Sequence, residues 1–260
     1  MFTYGVNISM VFAEYPFPDR IQKVAEAGFS AFEFWFPSLY DMKAVQEKKE
    51  QFGLEVALFN LNTPPNMKGL LSNPKEVQQF RESLDEAIGL AHKLGCKRIN
   101  TLAGNALEGV SSEEQRKCAL DNLRHAAKRL QGEGITLMFE ALNLFDSPGY
   151  LLSNSREAFQ WVEEVRSPLV KFQYDLYHMQ LMEGNLLNTI RANLDKIGHI
   201  QIADVPARHE PGTGEIHYPF VLKALEDMGY SGYVNLEYIP SGKSEDSFNW
   251  LPRSARGRRG

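Results

Sequence analysis

The 260-residue sequence predicts an α/β protein built as a single (β/α)8 barrel. Three observations carry the prediction. Strand-like and helix-like segments alternate with a period of roughly 25–35 residues, as successive βα units do. The length is close to the roughly 250 residues that eight such units need. Four short apolar runs in the second half, at 135–140, 170–175, 199–202 and 232–237, carry an oxygen-bearing side chain at or near their ends, namely Glu140, Asp175, Gln201 and Glu237. In a parallel barrel these ends open on one face.

The elements follow in order. Residues 5–9 read as the first strand and 18–27 as a helix closed by Gly28, a typical C-terminal stop. Residues 31–36 form the second strand, apolar except for Glu33. Helix 42–52 stops at Gly53, and 54–59 is the third strand. A loop with Pro64, Pro65 and Gly69 follows, long enough to act as a lid over a site. In 75–94, Val77, Phe80, Leu84, Ala87, Ile88 and Ala91 keep a helical period up to Gly95. Residues 98–103 are the fourth strand. Residues 112–131 are a helix with Ser111 as cap and Glu114 three residues on. Helices at 154–165, 186–194 and 219–228 separate the last four strands. With no linker in view, residues 1–252 are expected to form one domain. Residues 253–260 are basic and small with no apolar period, and are expected to be a disordered tail. An open doubly wound sheet is the alternative. It usually carries a glycine-rich phosphate loop after a strand, and Asn7-Ile8-Ser9-Met10-Val11-Phe12 has no glycine.

Bulk composition narrows the function classes. The net charge of −5 argues against a nucleic-acid surface or an anionic membrane as partner. No apolar run approaches the roughly 18 residues of a membrane span, and the N-terminus lacks the pattern of a signal peptide. Cys96 and Cys118 have no metal-type spacing, which fits a reduced, cytoplasmic setting.

Three carboxylates and an amide aimed at one point repel each other unless a divalent cation sits between them. A hard, oxygen-only set suits Mg²⁺ or Mn²⁺ better than zinc. Any one of these acids alone is as readily a helix cap or an ion-pair partner. Their matching positions on four consecutive strands favour the metal. His178, three residues after Asp175, is placed to reach a substrate hydroxyl. Arg208, in the Gly- and Pro-rich segment after the seventh strand, is a candidate clamp for a substrate carboxylate or hydroxyl pair; its bland alternative is a surface pair with Glu210 or Glu215. Phe32, Phe34, Trp35 and Phe36 read as core first, with an apolar wall at the strand end as a second use.

These residues resemble the hydroxypyruvate isomerase family, which includes 2-oxo-tetronate isomerases, within the xylose isomerase-like TIM barrel superfamily. The resemblance runs from Tyr4 to about Trp250. It rests on Phe139-Glu140-Ala141-Leu142-Asn143 with Asp146, on Phe172-Gln173-Tyr174-Asp175-Leu176-Tyr177-His178, on His199-Ile200-Gln201-Ile202-Ala203-Asp204 with Arg208-His209-Glu210-Pro211-Gly212-Thr213-Gly214-Glu215, and on Leu236-Glu237-Tyr238. Ala141 departs from a common proline, and the chain after Pro252 departs altogether. The resemblance implies that Glu140 and Glu237 are the catalytic proton donor and acceptor. It also implies that they bind the metal with Asp175 and Gln201, and that the substrate is a small hydroxy-keto acid or ketose. A homodimer is compatible with it. Ketose 3-epimerisation is the nearest rival, although related epimerases generally carry histidine where Gln201 stands. An apurinic-site endonuclease needs a histidine-rich site that the strand ends at Phe36, Phe59 and Ala103 do not supply. A non-catalytic sugar-binding role is the third class.

Overall fold

Eight parallel strands close into one barrel, in sequence order, in the computed structural model, which describes residues 2–257. The strands are β1 (Thr3–Asn7), β2 (Ala31–Phe34), β3 (Glu55–Asn60), β4 (Arg98–Leu102), β5 (Thr136–Glu140), β6 (Val170–Asp175), β7 (Ile197–Ile202) and β8 (Tyr233–Leu236). The connecting helices are α1 (Phe17–Glu26), α2 (Met42–Phe52), α3 (Val77–Leu94), α4 (Ser112–Arg129), α5 (Ser155–Val165), α6 (Leu176–Met182), α7 (Leu186–Asn193) and α8 (Tyr218–Asp227). The expected eight-fold closure holds, and β1 meets β8 through Thr3↔Tyr233 to Val6↔Leu236.

Local chemistry explains where the helices begin and end. Asp41 caps α2 by accepting from the backbone N–H of Lys43 and Ala44, and Gly53 ends it in the left-handed conformation. The hydroxyl of Ser111 accepts from Glu114 N at 3.1 Å, so the cap expected for α4 forms. One helix was not expected. α6 begins directly after Asp175, whose Oδ1 accepts from Tyr177 N at 2.8 Å. A strand-end acid thus doubles as a helix cap.

Strand alternation sorts the residues into two populations. Phe32, Phe34, Phe139, Phe172, Ile200, Ile202, Val234 and Leu236 are buried in the apolar core. Trp161 of α5 stacks on Phe139 with ring centroids 5.8 Å apart. The alternate residues are polar: Asn7, Glu33, Asn100, Gln173, His199, Gln201 and Asn235 are all buried. Barrel interiors are usually filled by branched apolar side chains, so this polar filling is specific to the site above it. Gly5 makes room for it, because a Cβ there would lie 2.3 Å from Asn235 Oδ1.

The expected disordered tail needs correction in its described part. Arg253–Arg256 forms a helical turn, α9. Arg256 donates to the carbonyls of Leu251, Ala27 and Phe248 at 2.9, 3.0 and 2.8 Å. Its guanidinium also lies over the rings of Phe29 and Phe248. A basic segment without an apolar period is held here by backbone carbonyls and aromatic faces, which periodicity does not register. Residues 258–260 lie outside the described residues. Arg256→Ala should lower the unfolding free energy by about 1–2 kcal/mol in urea titration, from lost charged hydrogen bonds and stem packing; an unchanged midpoint would show the turn to be ornamental.

Candidate active site

The mouth of the barrel at the C-terminal strand ends holds Glu140 from the end of β5, Asp175 from the end of β6, His178 from the first turn of α6, and Glu237 just past β8. One ligand-type atom from each lies within 4.8 Å of all the others, and all four residues are buried. A cavity of about 380 Å³ opens above them, lined by Trp35, Pro65, Met67, Lys68, Leu142 and Arg208 among others. The loop after β3, read as a lid from its prolines and glycine, contributes Pro65, Met67 and Lys68 to the cavity wall. Trp35, read as core, instead donates its indole N–H to Glu237 Oε1 at 2.9 Å.

Arg208 turns inward. Its Nη2 donates to Glu237 Oε2 at 2.7 Å and lies 3.5 Å from Asp175 Oδ2. The surface pairs with Glu210 or Glu215 do not form, since Glu210 accepts from Ser241 and Glu215 from Gln180. Asp204 directs this orientation, and sequence reasoning gave it no role. Its carboxylate accepts from the backbone N–H of Val205, Gly212, Gly214 and Ile216 at 2.9–3.0 Å, which folds the 205–216 segment into a compact turn. Gly214 is required there, because a Cβ would meet Val205 O at 1.9 Å.

His178 is held in one tautomer. Its Nδ1 accepts from Asn143 N at 3.2 Å and from Asn143 Nδ2 at 2.6 Å. A backbone nitrogen can only donate, so with that bond in place the neutral ring carries its proton on Nε2, and Arg208 Nη2, 3.4 Å from it, is a neighbour rather than a donor. His178 Nε2 lies 3.5 Å from Asp175 Oδ2. His178 therefore offers an N–H to the site rather than a lone pair, which suits contact with substrate oxygen better than ligation.

Beneath this layer sits a residue that sequence reasoning passed over. Glu33, fully buried on β2, accepts from Asn7 Nδ2 at 3.0 Å and Gln201 Nε2 at 2.6 Å on one oxygen. Its other oxygen pairs with His199 Nε2 at 2.7 Å and accepts from Asn235 Nδ2. Asn7 and Gln201 also donate to Glu237 Oε1, at 2.8 and 3.1 Å. Two amides thus clamp the upper carboxylate to the lower one. Gln201, expected to offer an oxygen, turns its Nε2 toward Glu33 and Glu237, and its Oε1 accepts from Gln173 Nε2 at 2.7 Å.

The electrostatics fit a cation. Burial, with Glu237 and Asp175 adding to it, pushes Glu140 well above the usual carboxylate range. Burial raises Glu237 to about 8 against the lowering pull of Arg208. It also raises Asp175 to about 6, again opposed by Arg208. Burial, then the charges of Arg208 and Lys68, depress His178 well below its ordinary value. Asp175 Oδ2 is buried with no hydrogen-bond partner. A carboxylate oxygen that accepts no hydrogen bond, has Arg208 no nearer than 3.5 Å and faces two further acids is a place for a divalent ion, and the donor set is oxygen-rich.

A closed eight-stranded parallel barrel with three acids and a histidine gathered at its C-terminal mouth defines a TIM-barrel protein with a candidate metal-binding site. The chain belongs to the xylose isomerase-like TIM barrel family, whose family model matches residues 21–254. It is 41% identical over 254 residues to hydroxypyruvate isomerase of Escherichia coli, covering 96% of this chain and 98% of that one. It is 37% identical over 251 residues to 2-oxo-tetronate isomerase of Pectobacterium atrosepticum, covering 95% of each. The crystal structure of a Brucella melitensis protein described as AP endonuclease, family 2, superposes with a TM-score of 0.93 at 36% identity, covering 96% and 98% of the two chains.

Two outcomes follow. The carboxyls whose pKa is raised by folding favour the metal-free protein in acid, and that contribution falls as pH rises through about 6 and about 8, the values for Asp175 and Glu237. A divalent ion replaces those protons. The rise in Tm caused by Mn²⁺ should therefore be larger at about pH 8.5 than at about pH 5.5; a pH-independent rise would contradict the assignment. Glu33→Gln places an NH₂ among four donors. It should keep the far-ultraviolet spectrum while lowering Mn²⁺ affinity and kcat by about 10–100-fold each. A folded variant with unaltered affinity and kcat would reduce Glu33 to a filler.

Proposed function

We propose that this chain is a metal-dependent isomerase of small hydroxy-keto acids, converting hydroxypyruvate to tartronate semialdehyde or acting on a 2-oxo-tetronate in the same way. The observation that carries the reading is the pair of buried glutamates, Glu140 and Glu237, each held above the ordinary carboxylate range, at the mouth of a barrel whose relatives bear those names. Glu140, Asp175, Gln201 and Glu237 would hold the metal, Mg²⁺ or Mn²⁺. When bound, such an ion polarises a carbonyl and stabilises negative charge on adjacent oxygens.

One glutamate takes the proton from the hydroxyl-bearing carbon, leaving an enediolate. The other, or the same one, delivers a proton to the former carbonyl carbon, while the hydroxyl proton passes to the former carbonyl oxygen and the hydroxyl-bearing carbon becomes the aldehyde. The His178 Nε2–H and the Arg208 guanidinium hold the substrate oxygens, while Trp35 and the loop carrying Met67 exclude water. A cytoplasmic setting and a homodimer belong to the same reading, the second supported by the adjacent exposed side chains Leu144 and Phe145. The charge of −5 supports a small-molecule rather than a nucleic-acid partner. Ketose 3-epimerisation would use the same two glutamates, and Gln201 in place of a histidine speaks against it. The endonuclease reading lacks its histidines: His178 alone joins the acid cluster, and His199 is taken by Glu33.

NMR of the Mn²⁺- or Mg²⁺-loaded protein in D₂O, with hydroxypyruvate, a 2-oxo-tetronate and fructose offered separately, tests the assignment. Deuterium should enter the keto acid, and the aldehyde product should appear. Exchange at C3 of fructose instead would move the reading to an epimerase. Glu140→Gln and Glu237→Gln should each lower turnover by about 10²–10⁴-fold with Tm retained; full activity in both would remove the paired-glutamate mechanism.

A further inference from the structure

The hydroxy-keto acid reading leaves one group of the substrate unaccounted for, its carboxylate. Within the site the negative charges of Glu140, Asp175 and Glu237 are matched by Arg208 and a divalent ion. Asp146, at the rim, adds another acid, held by Tyr177 and Asn143 at 2.8 and 2.9 Å. The charge of Arg208 is already offset, because its Nη2 serves Glu237 and Asp175; its Nε, buried without a partner, is left to meet a substrate hydroxyl or carbonyl oxygen. An anionic substrate entering this cavity meets net repulsion unless a further cation lies in its wall.

Lys68 is that further cation. It lines the cavity beside Glu140, His178 and Arg208. Its Nζ donates to Ser147 Oγ at 3.0 Å and to the Asp146 carbonyl at 3.4 Å, both neutral oxygens, which leaves a third N–H. No carboxylate of a described residue forms an ion pair with it. The charge is felt at the chemistry, since it contributes to holding the buried His178 neutral.

The loop fixes this position. Gly69, at φ +122°, lies so close to β4 that a Cβ would sit 2.1 Å from Leu102 O, a contact only glycine permits. The next residues continue along that strand end, with Ser72 N donating to Ala103 O at 3.0 Å. On the other side, Leu61 N donates to Asn100 O of β4 at 2.7 Å, and Met67 N closes a turn on Pro64 O at 3.0 Å. Lys68 is thus the single cation on a segment pinned at both ends over the mouth.

We propose that Lys68 is the specificity-determining residue that pairs with the substrate carboxylate, selecting keto acids over neutral ketoses. The inference rests on the hydroxy-keto acid reading for its substrate and on the loop geometry for its residue.

The test compares wild type, Lys68→Met and Lys68→Arg on hydroxypyruvate and on its uncharged amide. Calorimetric binding of glycerate and glyceramide, which do not turn over, is measured alongside. Lys68→Met should raise KM for hydroxypyruvate by about 10–100-fold and weaken glycerate binding to match, with kcat falling far less. The amide and glyceramide should be handled as by wild type, and arginine should recover most of the loss. A KM for hydroxypyruvate unchanged in Lys68→Met, or equal losses for acid and amide, would overturn the proposal while leaving the isomerase reading intact. Wild type that turns over no keto acid yet binds glycerate through Lys68 would sink the isomerase reading and leave the carboxylate site standing. Glycerate binding indifferent to Lys68 would overturn the carboxylate site by itself.

Discussion

A carboxylate sealed inside a barrel has to be met by donors from the surrounding strands, and Glu33 imposes that demand on this fold. Its partners come from three other strands: Asn7 from β1, His199 and Gln201 from β7, and Asn235 from β8. Each is drawn to the axis, and two of them reach upward to Glu237. The metal-type layer therefore stands on a hydrogen-bonded floor rather than on a greasy one. Apolar filling would leave Glu237 held by Arg208 and Trp35 alone, whereas the floor ties its Oε1 to donors fixed in the strands. Even the small residue Gly5 belongs to this arrangement, since any side chain there would displace Asn235.

Charge balance is the second constraint. Three acids crowd the mouth, and burial keeps them from ionising together without compensation. Arg208 supplies part of that compensation, and it can do so only because Asp204 folds the segment that carries it. Four backbone N–H groups converge on one buried carboxylate, so the chain doubles back and points Arg208 inward at φ +57°. An arginine that sequence spacing allowed to pair on the surface is committed to the interior by a residue four positions earlier. Reactive groups here depend on acids that never touch the cavity, Glu33 from below and Asp204 from the side.

Much of the frame was legible. Glycine stops at Gly53 and Gly95, the cap at Ser111 and the apolar period of α3 are local signals, and each produced the element it predicted. The ends of β5 to β8 were found because an acid or amide at the close of an apolar run stands out. The floor of the site was missed although a signal for it existed. Gln173, His199 and Asn235 stand two residues before Asp175, Gln201 and Glu237, and a strand's period of two puts each pair on the same inward face. Glu33 carried the same mark as the lone acid in an otherwise apolar run. Trp35 gave no such warning, because an aromatic residue reads as core whether or not its indole N–H is in use. α6 was hidden for a related reason, since Asp175 serves strand end, site and cap at once.

The sequence by itself determined the order of the elements, the closed barrel they form and the identity of the acids at one mouth, because those follow from periodicity and punctuation along the chain. Tertiary structure alone decided which donor each acid meets, that the segment around Arg256 docks instead of fraying, and that Lys68 faces the cavity. Those outcomes depend on distances between residues up to 230 positions apart, as Asn7 is from Glu237. No local pattern encodes such distances; only closure of the barrel brings the first strand against the last.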